Sequence, residues 1–335
     1  MFVKKLTNIL FILFFLISCG KEKSSTNFTD VYIFTSDEDR YLVKDIIENY
    51  LFNFTFYTPE PEKRYKPIWK NSNQFLNKPS HSQLMIISIQ DQKDTTIDVI
   101  ANHLTDKFDE NNLILINDYF FNDQNLFILK YSNNDSLMLD LVDKKNWIFN
   151  ELKENEFKMI ENYSFRGGTN DSLASIIYDT FSLQMNIQKD YQIINQSPEN
   201  NYIWIGRGFP YRWILIYSDN ESFYSTKDLT LKRIYSKFSN ILDVEINNYG
   251  HQTEFIEVND KIINKLYGVY GTKEDSVNPT GGPFISYILK NEKSNQVIIV
   301  SGFVNFPGKS KIFHIKELEY IIETINIDER KWNNE

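Results

Sequence analysis

The chain has 335 residues, a formal net charge of −9 and an apolar fraction of 41% that includes 26 Phe and 20 Tyr, material for a large core and length for two compact units at roughly 150 residues each. Its 36 basic side chains are outnumbered by 45 acidic ones and scattered among them, which excludes the basic stripe that nucleic acid needs and broad adhesion to anionic lipid. A single cysteine excludes an internal disulfide.

Lys4 and Lys5 precede the uninterrupted apolar run Ile9 to Ile17, which is followed by Ser18-Cys19-Gly20. A charged start and a short apolar core make a secretory leader, and the run falls far short of the roughly twenty residues that span a bilayer as a helix. The small residue before Cys19 and the Gly after it resemble a lipobox, so residues 1–18 read as a signal peptide and Cys19 as the acylated anchor to the lipid bilayer. Cleavage removes Lys4 and Lys5 and takes the net charge to −11. Attachment then rests on the acyl chains, at about 0.8 kcal/mol per buried methylene. Residues 19–29 are polar and read as a flexible tether.

Residues 30–165 form the first predicted half. Val31–Phe34 reads as a strand and Ser36–Asp39 as a helix start with acids at the positive dipole end. Three prolines in Pro59–Pro67 exclude helix and central strand there. Gln83–Ile89 reads as a buried strand, residues 94–108 as a helix, and Leu113–Tyr119 with Leu126–Tyr131 as a hairpin across Asn122-Asp123. Ser136 to Met159 carries helical periodicity over one long helix or two abutting ones. The Gly167-Gly168 pair marks the boundary between the halves.

Residues 166–327 form the second half, opening with a helix over Asp171–Phe181. Strands are predicted over Gln184–Ile194, Tyr202–Ile205, Trp213–Tyr217, 254–258, 262–270, Phe284–Leu289 and Val297–Phe303, with helices over Lys227–Phe238 and Ile315–Ile325. Neither half shows the strand and helix alternation of a doubly wound parallel sheet. The class is therefore α+β: two halves of mainly antiparallel sheet with helices packed on one face.

Pro279-Thr280-Gly281-Gly282-Pro283-Phe284 and Gly302-Phe303-Val304-Asn305-Phe306-Pro307-Gly308-Lys309, with the final helix around Leu318-Glu319-Tyr320, resemble a family of Bacteroidetes lipoproteins known as domain of unknown function 4837. The likeness extends more loosely to Tyr202–Ile205 with Trp213–Tyr217 and to Pro59-Glu60-Pro61-Glu62, and so to most of the chain. It implies an envelope lipoprotein and no particular activity. Surface-exposed lipoproteins of that group resemble one another in an acidic run after the acylated Cys. Here Gly20-Lys21-Glu22-Lys23-Ser24-Ser25 has one acid between two lysines, so the resemblance implies the periplasmic face of the outer membrane.

Gly281, Gly282 and Pro283 read as a structural turn, because glycine takes positive φ and proline fixes the chain beyond it; an anion nest is the alternative. His81, His103, His251 and His314 lack metal-ligand spacing, and no Gly-x-Ser-x-Gly elbow occurs, so neither metal nor cofactor is predicted. The cationic and aromatic group Trp204, Arg207, Phe209, Tyr211 and Arg212, with Trp213, surrounds a hairpin-like turn and is the candidate binding surface for an envelope protein or glycan; cross-strand core packing is its other reading. The predicted role is a non-catalytic binding or assembly component. A hydrolase of envelope polymers with paired carboxylates is the alternative, and no spacing selects such a pair.

Overall fold

Apolar runs with no polar alternation build a mixed sheet early in the chain. The computed structural model describes residues 21–25, 27–56, 58, 60–89, 95–105, 112–247, 251–258, 261–273, 280–290 and 295–328. It divides the chain into one unit of Met1–Asn53 and Tyr65–Met159 and another of Phe54–Arg64 and Ile160–Glu335. The division thus falls at Met159, short of the Gly167-Gly168 pair, and the proline-bearing segment belongs mostly with the second unit. The signal peptide and Cys19 lie outside the described residues.

In the first unit, strands β1 (Asp30–Thr35), β2 (Lys66–Asn71), β3 (Gln83–Ile89), β4 (Leu113–Asn117) and β5 (Asn125–Tyr131) pair in the order β2-β1-β3-β5-β4. The first three pairings are parallel and the last, the predicted hairpin, is antiparallel. All seven residues of β3 are buried, because its faces are both covered, as parallel strands require. Leu84 and Ile86 pack with Ile97 and Ala101 of helix α2 (Thr95–Thr105). Met85 and Ile87 pack on the opposite side with Val43 of α1 (Asp37–Asp45) and with Leu141 and Ile148 of α3 (Asn134–Ser164). Ser36 Oγ caps α1, accepting from Asp39 N at 2.9 Å. Pro67 sits on the edge strand β2, where its missing N–H leaves no ladder bond unmade. The predicted tether is partly laid down on this unit: Ser24 N donates to Asn122 O (2.9 Å) and Asn122 N to Glu22 O (2.8 Å). Polar composition suggests a loose segment, but its backbone groups find strand-like partners.

The second unit opens with α4 (Asp171–Phe181) and contains strands β6 (Gln192–Ser197), β7 (Tyr202–Arg207), β8 (Tyr211–Asn220), β9 (Val244–Ile246), β10 (Gln252–Val258), β11 (Lys261–Thr272), β12 (Gly281–Lys290) and β13 (Gln296–Asn305). They form one curled, half-barrel sheet in the order β9-β11-β12-β13-β8-β7-β6, with β10 also paired to β11, every pairing antiparallel. The expected strand over Gln184–Ile194 is instead the two-residue Leu183–Gln184 and, after a turn, β6.

Side chains alternate between the two faces of such a sheet. Leu215, Tyr217, Phe284, Ile299 and Phe303 pack with Ile234 and Phe238 of α5 (Lys227–Leu242), and the Phe238 ring meets those of Phe284 and Phe303 at 5.3 and 4.8 Å, edge to face. Gly302, of opposite parity, meets Leu318 of α6 (Ile312–Glu323). The class is α+β with mainly antiparallel sheet. What differs from one-faced packing is that helices cover both faces in each unit, since the strands are apolar on both sides.

Candidate functional site

Eleven of the twelve residues of α6 are buried, including Lys316, Glu317, Glu319 and Glu323. Charges persist in such a setting only when paired. Glu319 Oε1 accepts from Lys265 Nζ (2.6 Å) and from the Tyr267 hydroxyl (2.9 Å), and its Oε2 from Arg64 Nη1 (2.5 Å). Glu323 Oε1 accepts from Lys265 Nζ (3.0 Å) and the Tyr287 hydroxyl (2.7 Å). Lys265 and Tyr267 are two apart on β11 and therefore share the face toward α6. Burial works to lower the Lys265 pKa, but Glu319 and Glu323 outweigh it and hold it above the ordinary lysine value. Lys265 and Arg64 against Glu319 and Glu323 make this cluster an internal clamp, with Glu254 Oε2 3.2 Å from the Tyr267 hydroxyl at its side.

A second group surrounds Glu317. Arg212 Nη1 lies 2.9 Å from Glu317 Oε2 and donates to His314 Nδ1 at 2.5 Å. Gln188 Nε2 donates to Glu317 Oε1 at 2.7 Å. Arg207 reaches the same oxygen with Nη1 at 3.7 Å and Asp190 Oδ2 with Nη2 at 2.6 Å. Burial works to raise the Glu317 carboxyl, yet His314 and the Arg212 and Arg207 guanidiniums outweigh it and hold it below the usual carboxylate range. A depressed folded-state pKa gives stability that is full above the unfolded value, about pH 4.5, and is lost as acid protonates the group below it. Glu317→Gln is therefore expected to lower the urea midpoint at about pH 6, with the gap to the parent closing towards about pH 3; a gap independent of pH would contradict this assignment.

Arg207 joins this group to a cleft of about 720 Å³ whose walls include Ile194, Trp204, Arg207, Tyr211, Trp213 and Asn305. The β7–β8 hairpin builds it: Gly206 pairs with Trp213 and Arg207 with Arg212. The rings of Trp204 and Trp213 meet edge to face at 5.9 Å and 85°. A Cβ on Gly206 would lie 2.5 Å from Ile194 Cδ1 and 2.7 Å from Trp213 Cδ1, so glycine lets those two side chains close over the backbone. A β-bulge at Trp204/Ile205 shifts the register of β6 beside it. Trp204 Nε1, Arg207 Nε and Asn305 Oδ1 are buried without hydrogen-bond partners among the described residues, whereas most buried polar atoms have one. Asn305 Nδ2 donates to Thr280 Oγ1, also on the lining.

Of the predicted surface, Trp204, Arg207 and Tyr211 line this cleft together with Trp213. Phe209 does not. It sits within the hairpin turn, before a cis bond to Pro210, 64% exposed, with its ring against Tyr211 (5.7 Å) and Phe306 (5.3 Å). Arg212 is buried with Glu317, because its place in β8 turns it to the face of α6. Gly281, Gly282 and Pro283 stand in β12 and not in a turn, and neither glycine has positive φ. Asn305, Asp190 and Ile194 escape a reading of the sequence. Among the described residues no cluster of three His, Cys, Asp or Glu could hold a metal ion.

Residues 170–324 match the family model described as Domain of unknown function (DUF4837). The matched segment runs from the residue before α4 to the residue after α6 and contains the cleft and the Glu317 group. The resemblance drawn from the sequence spans most of the chain; the match covers this stretch, and Pro59–Glu62 lies outside it. No curated protein matches the sequence. Among solved structures, one from Bacteroides thetaiotaomicron VPI-5482 is similar at 15% identity and TM-score 0.25 over 43% of this chain and 44% of its own; the chain thus spans less than half of it. The Saccharomyces cerevisiae Ran-binding protein Mog1p is similar at 6% identity and TM-score 0.32, covering 44% of this chain and 92% of its own. A mutant of the protein Mog1 is similar at 6% identity and TM-score 0.32, over 45% and 93%.

Proposed function

We propose that the chain is an envelope lipoprotein of the Bacteroidetes type, held by acylated Cys19 at the periplasmic face of the outer membrane, that binds an envelope component without chemically altering it. The lipobox-like run ending at Gly20 supports the anchor. The observation that carries the binding role is the cleft, where the rings of Trp204, Tyr211 and Trp213 stand beside the hydrogen-bonding side chains of Gln192, Thr280 and Asn305. Apolar and aromatic walls with a few polar groups that fix orientation are what small-ligand sites present. A glycoside hydrolase needs two carboxylates roughly 5–9.5 Å apart around the bond it cuts. The described lining holds one, Asp190, already engaged by Arg207.

The test has two arms in the source cells. Cys19→Ala is expected to move the protein from the membrane to the soluble fraction, and external protease is expected to leave the parent intact on whole cells. Full-length parent is expected to retain an envelope component that Trp204→Ala/Arg207→Ala releases. Membrane retention of Cys19→Ala would sink the anchor, and equal retention by parent and double variant would sink the cleft.

A further inference from the structure

We infer that the first unit lies directly on the bilayer that holds Cys19, with the loop between β4 and β5 at the headgroup layer; the inference rests on the lipid anchor proposed above. A polar tether that stayed loose would leave the folded body free of the surface. The chain from Lys21 to Ser25 is instead bound along its length. Asn122 Nδ2 donates to Lys21 O at 2.6 Å, Asn122 N to Glu22 O at 2.8 Å and Ser24 N to Asn122 O at 2.9 Å. Ser25 N donates to Ser80 O at 2.6 Å. Side chains add to these bonds, Lys21 Nζ donating to Tyr119 O at 3.1 Å and Ser24 Oγ to Asp123 O at 3.0 Å. Gln124 Nε2 donates to Pro79 O and His81 O, at 2.9 and 2.7 Å, and so fastens the two docking loops to each other.

The slack that is left runs from Cys19 to Lys21, a step of two residues. Such a link spans at most about 7 Å at full extension, and the headgroup layer outside the hydrocarbon core is roughly 5–8 Å thick. Acyl chains that enter the core from Cys19 therefore bring Lys21 to the headgroup surface, and Asn122 with it. The loop that arrives there is aromatic. Tyr119, Phe120 and Phe121 follow one another, each half-buried. Tyr119 and Phe120 set their rings against Phe75 at 6.0 and 5.2 Å, which stiffens the loop from within while part of each ring stays exposed. Aromatic side chains placed between an apolar and a wet environment are those that collect at membrane interfaces. A protein partner is excluded by reach, since the gap of about 7 Å is narrower than one helix, roughly 10 Å across. Charge adds no pull on anionic lipid, because Lys23 stands 3.6 Å from Asp123. The acyl chains supply the attachment and the loop supplies the orientation. The loop joins the N-terminal ends of β3 and β5, so the parallel strands of the first sheet rise away from the membrane.

The test uses full-length acylated chain in phosphatidylcholine vesicles whose headgroups carry a nitroxide quencher. Acylation blocks the Cys19 sulfur, so Phe121→Cys and Asp37→Cys each accept a single bimane label. Asp37 opens α1 past the far end of β1, about 20 Å up the strand at roughly 3.3 Å per residue. The label at position 121 is expected to lose most of its fluorescence and the label at position 37 to keep it. Ser80→Cys, exposed beside Ser25, should behave as Phe121→Cys does and serves where that variant fails to fold, judged by circular dichroism. An insertion of about twelve Gly and Ser residues between Gly20 and Lys21, roughly 20 Å in mean span, should remove most of the quenching at both loop positions. Equal quenching at 121 and 37, or none at either, in chain that still floats with the vesicles would overturn the orientation and leave the anchor standing. Quenching at 121 that survives the insertion undiminished would overturn the docked tether as its cause. Parent chain recovered from the source cells without lipid, and free of vesicles, would remove the anchor and this inference together.

Discussion

Lys265→Met is expected to destabilise the second unit by about 3–5 kcal/mol, a large share of the roughly 5–15 kcal/mol that holds a domain folded. Lys265 is 2% exposed and contacts both Glu319 and Glu323. Its loss leaves two buried carboxylates facing Arg64, which touches Glu319 at 2.5 Å. An uncompensated buried charge, more than the lost attraction, is what makes the change severe. The double variant Lys265→Met/Glu323→Leu removes one charge of each sign and keeps Arg64 with Glu319, so it should recover at least half of the loss. Urea unfolding followed by tryptophan fluorescence reads both. A loss below about 1 kcal/mol for the single variant, or a double variant less stable than the single, would contradict the clamp around α6.

Gly282→Val is the second large effect. Gly282 of β12 pairs with Tyr270 of β11, and a Cβ there would press on the Val304 carbonyl oxygen, with the carbonyl carbon at 3.2 Å. Backbone of a central strand has nowhere to go, so the loss should reach or exceed the roughly 1–3 kcal/mol of ordinary overpacking. Gly167→Val is the matched control, since nothing lies within 4 Å of its Cβ position, and it should stay within about 0.5 kcal/mol of the parent. Equal melting of the two variants would refute the close-approach explanation. The glycine matters here through space and not through positive φ.

Much of the fold is legible along the chain because local signals agree with it. Gln83–Ile89 and Asp171–Phe181 begin and end as their patterns suggest, and Ser36 caps α1 as its acidic follow-on implies. Parallel pairing of β1, β2 and β3 is not legible, since an unbroken apolar strand fixes burial on two faces but not the direction of its neighbours. Helix α6 misleads for a related reason. Lys316, Glu317 and Glu319 look like a solvated face, and only the curled sheet, with Lys265, Tyr267, Tyr287 and Arg212 set among apolar residues, shows that they are inside. Those polar residues spaced along the long strands are the signal that sequence offers. The cleft is half legible: Trp204 and Trp213 meet across a hairpin that local spacing reveals. Asn305 comes from β13, which pairs with β8 at Tyr211, and no local pattern connects it to Arg207.

The most direct measurement is the indole N–H resonance of Trp204 in the full-length chain, assigned by its disappearance in Trp204→Phe and followed while the soluble glycan fraction of the envelope is added. Trp204 Nε1 has no hydrogen-bond partner among the described residues, whereas Trp69 Nε1 donates to Glu48 Oε1 at 2.7 Å. Occupation of the cleft should move the Trp204 resonance saturably and leave that of Trp69 in place. A Trp204 resonance that stays fixed, or tryptophan resonances that all drift together, would contradict a binding site at this cleft.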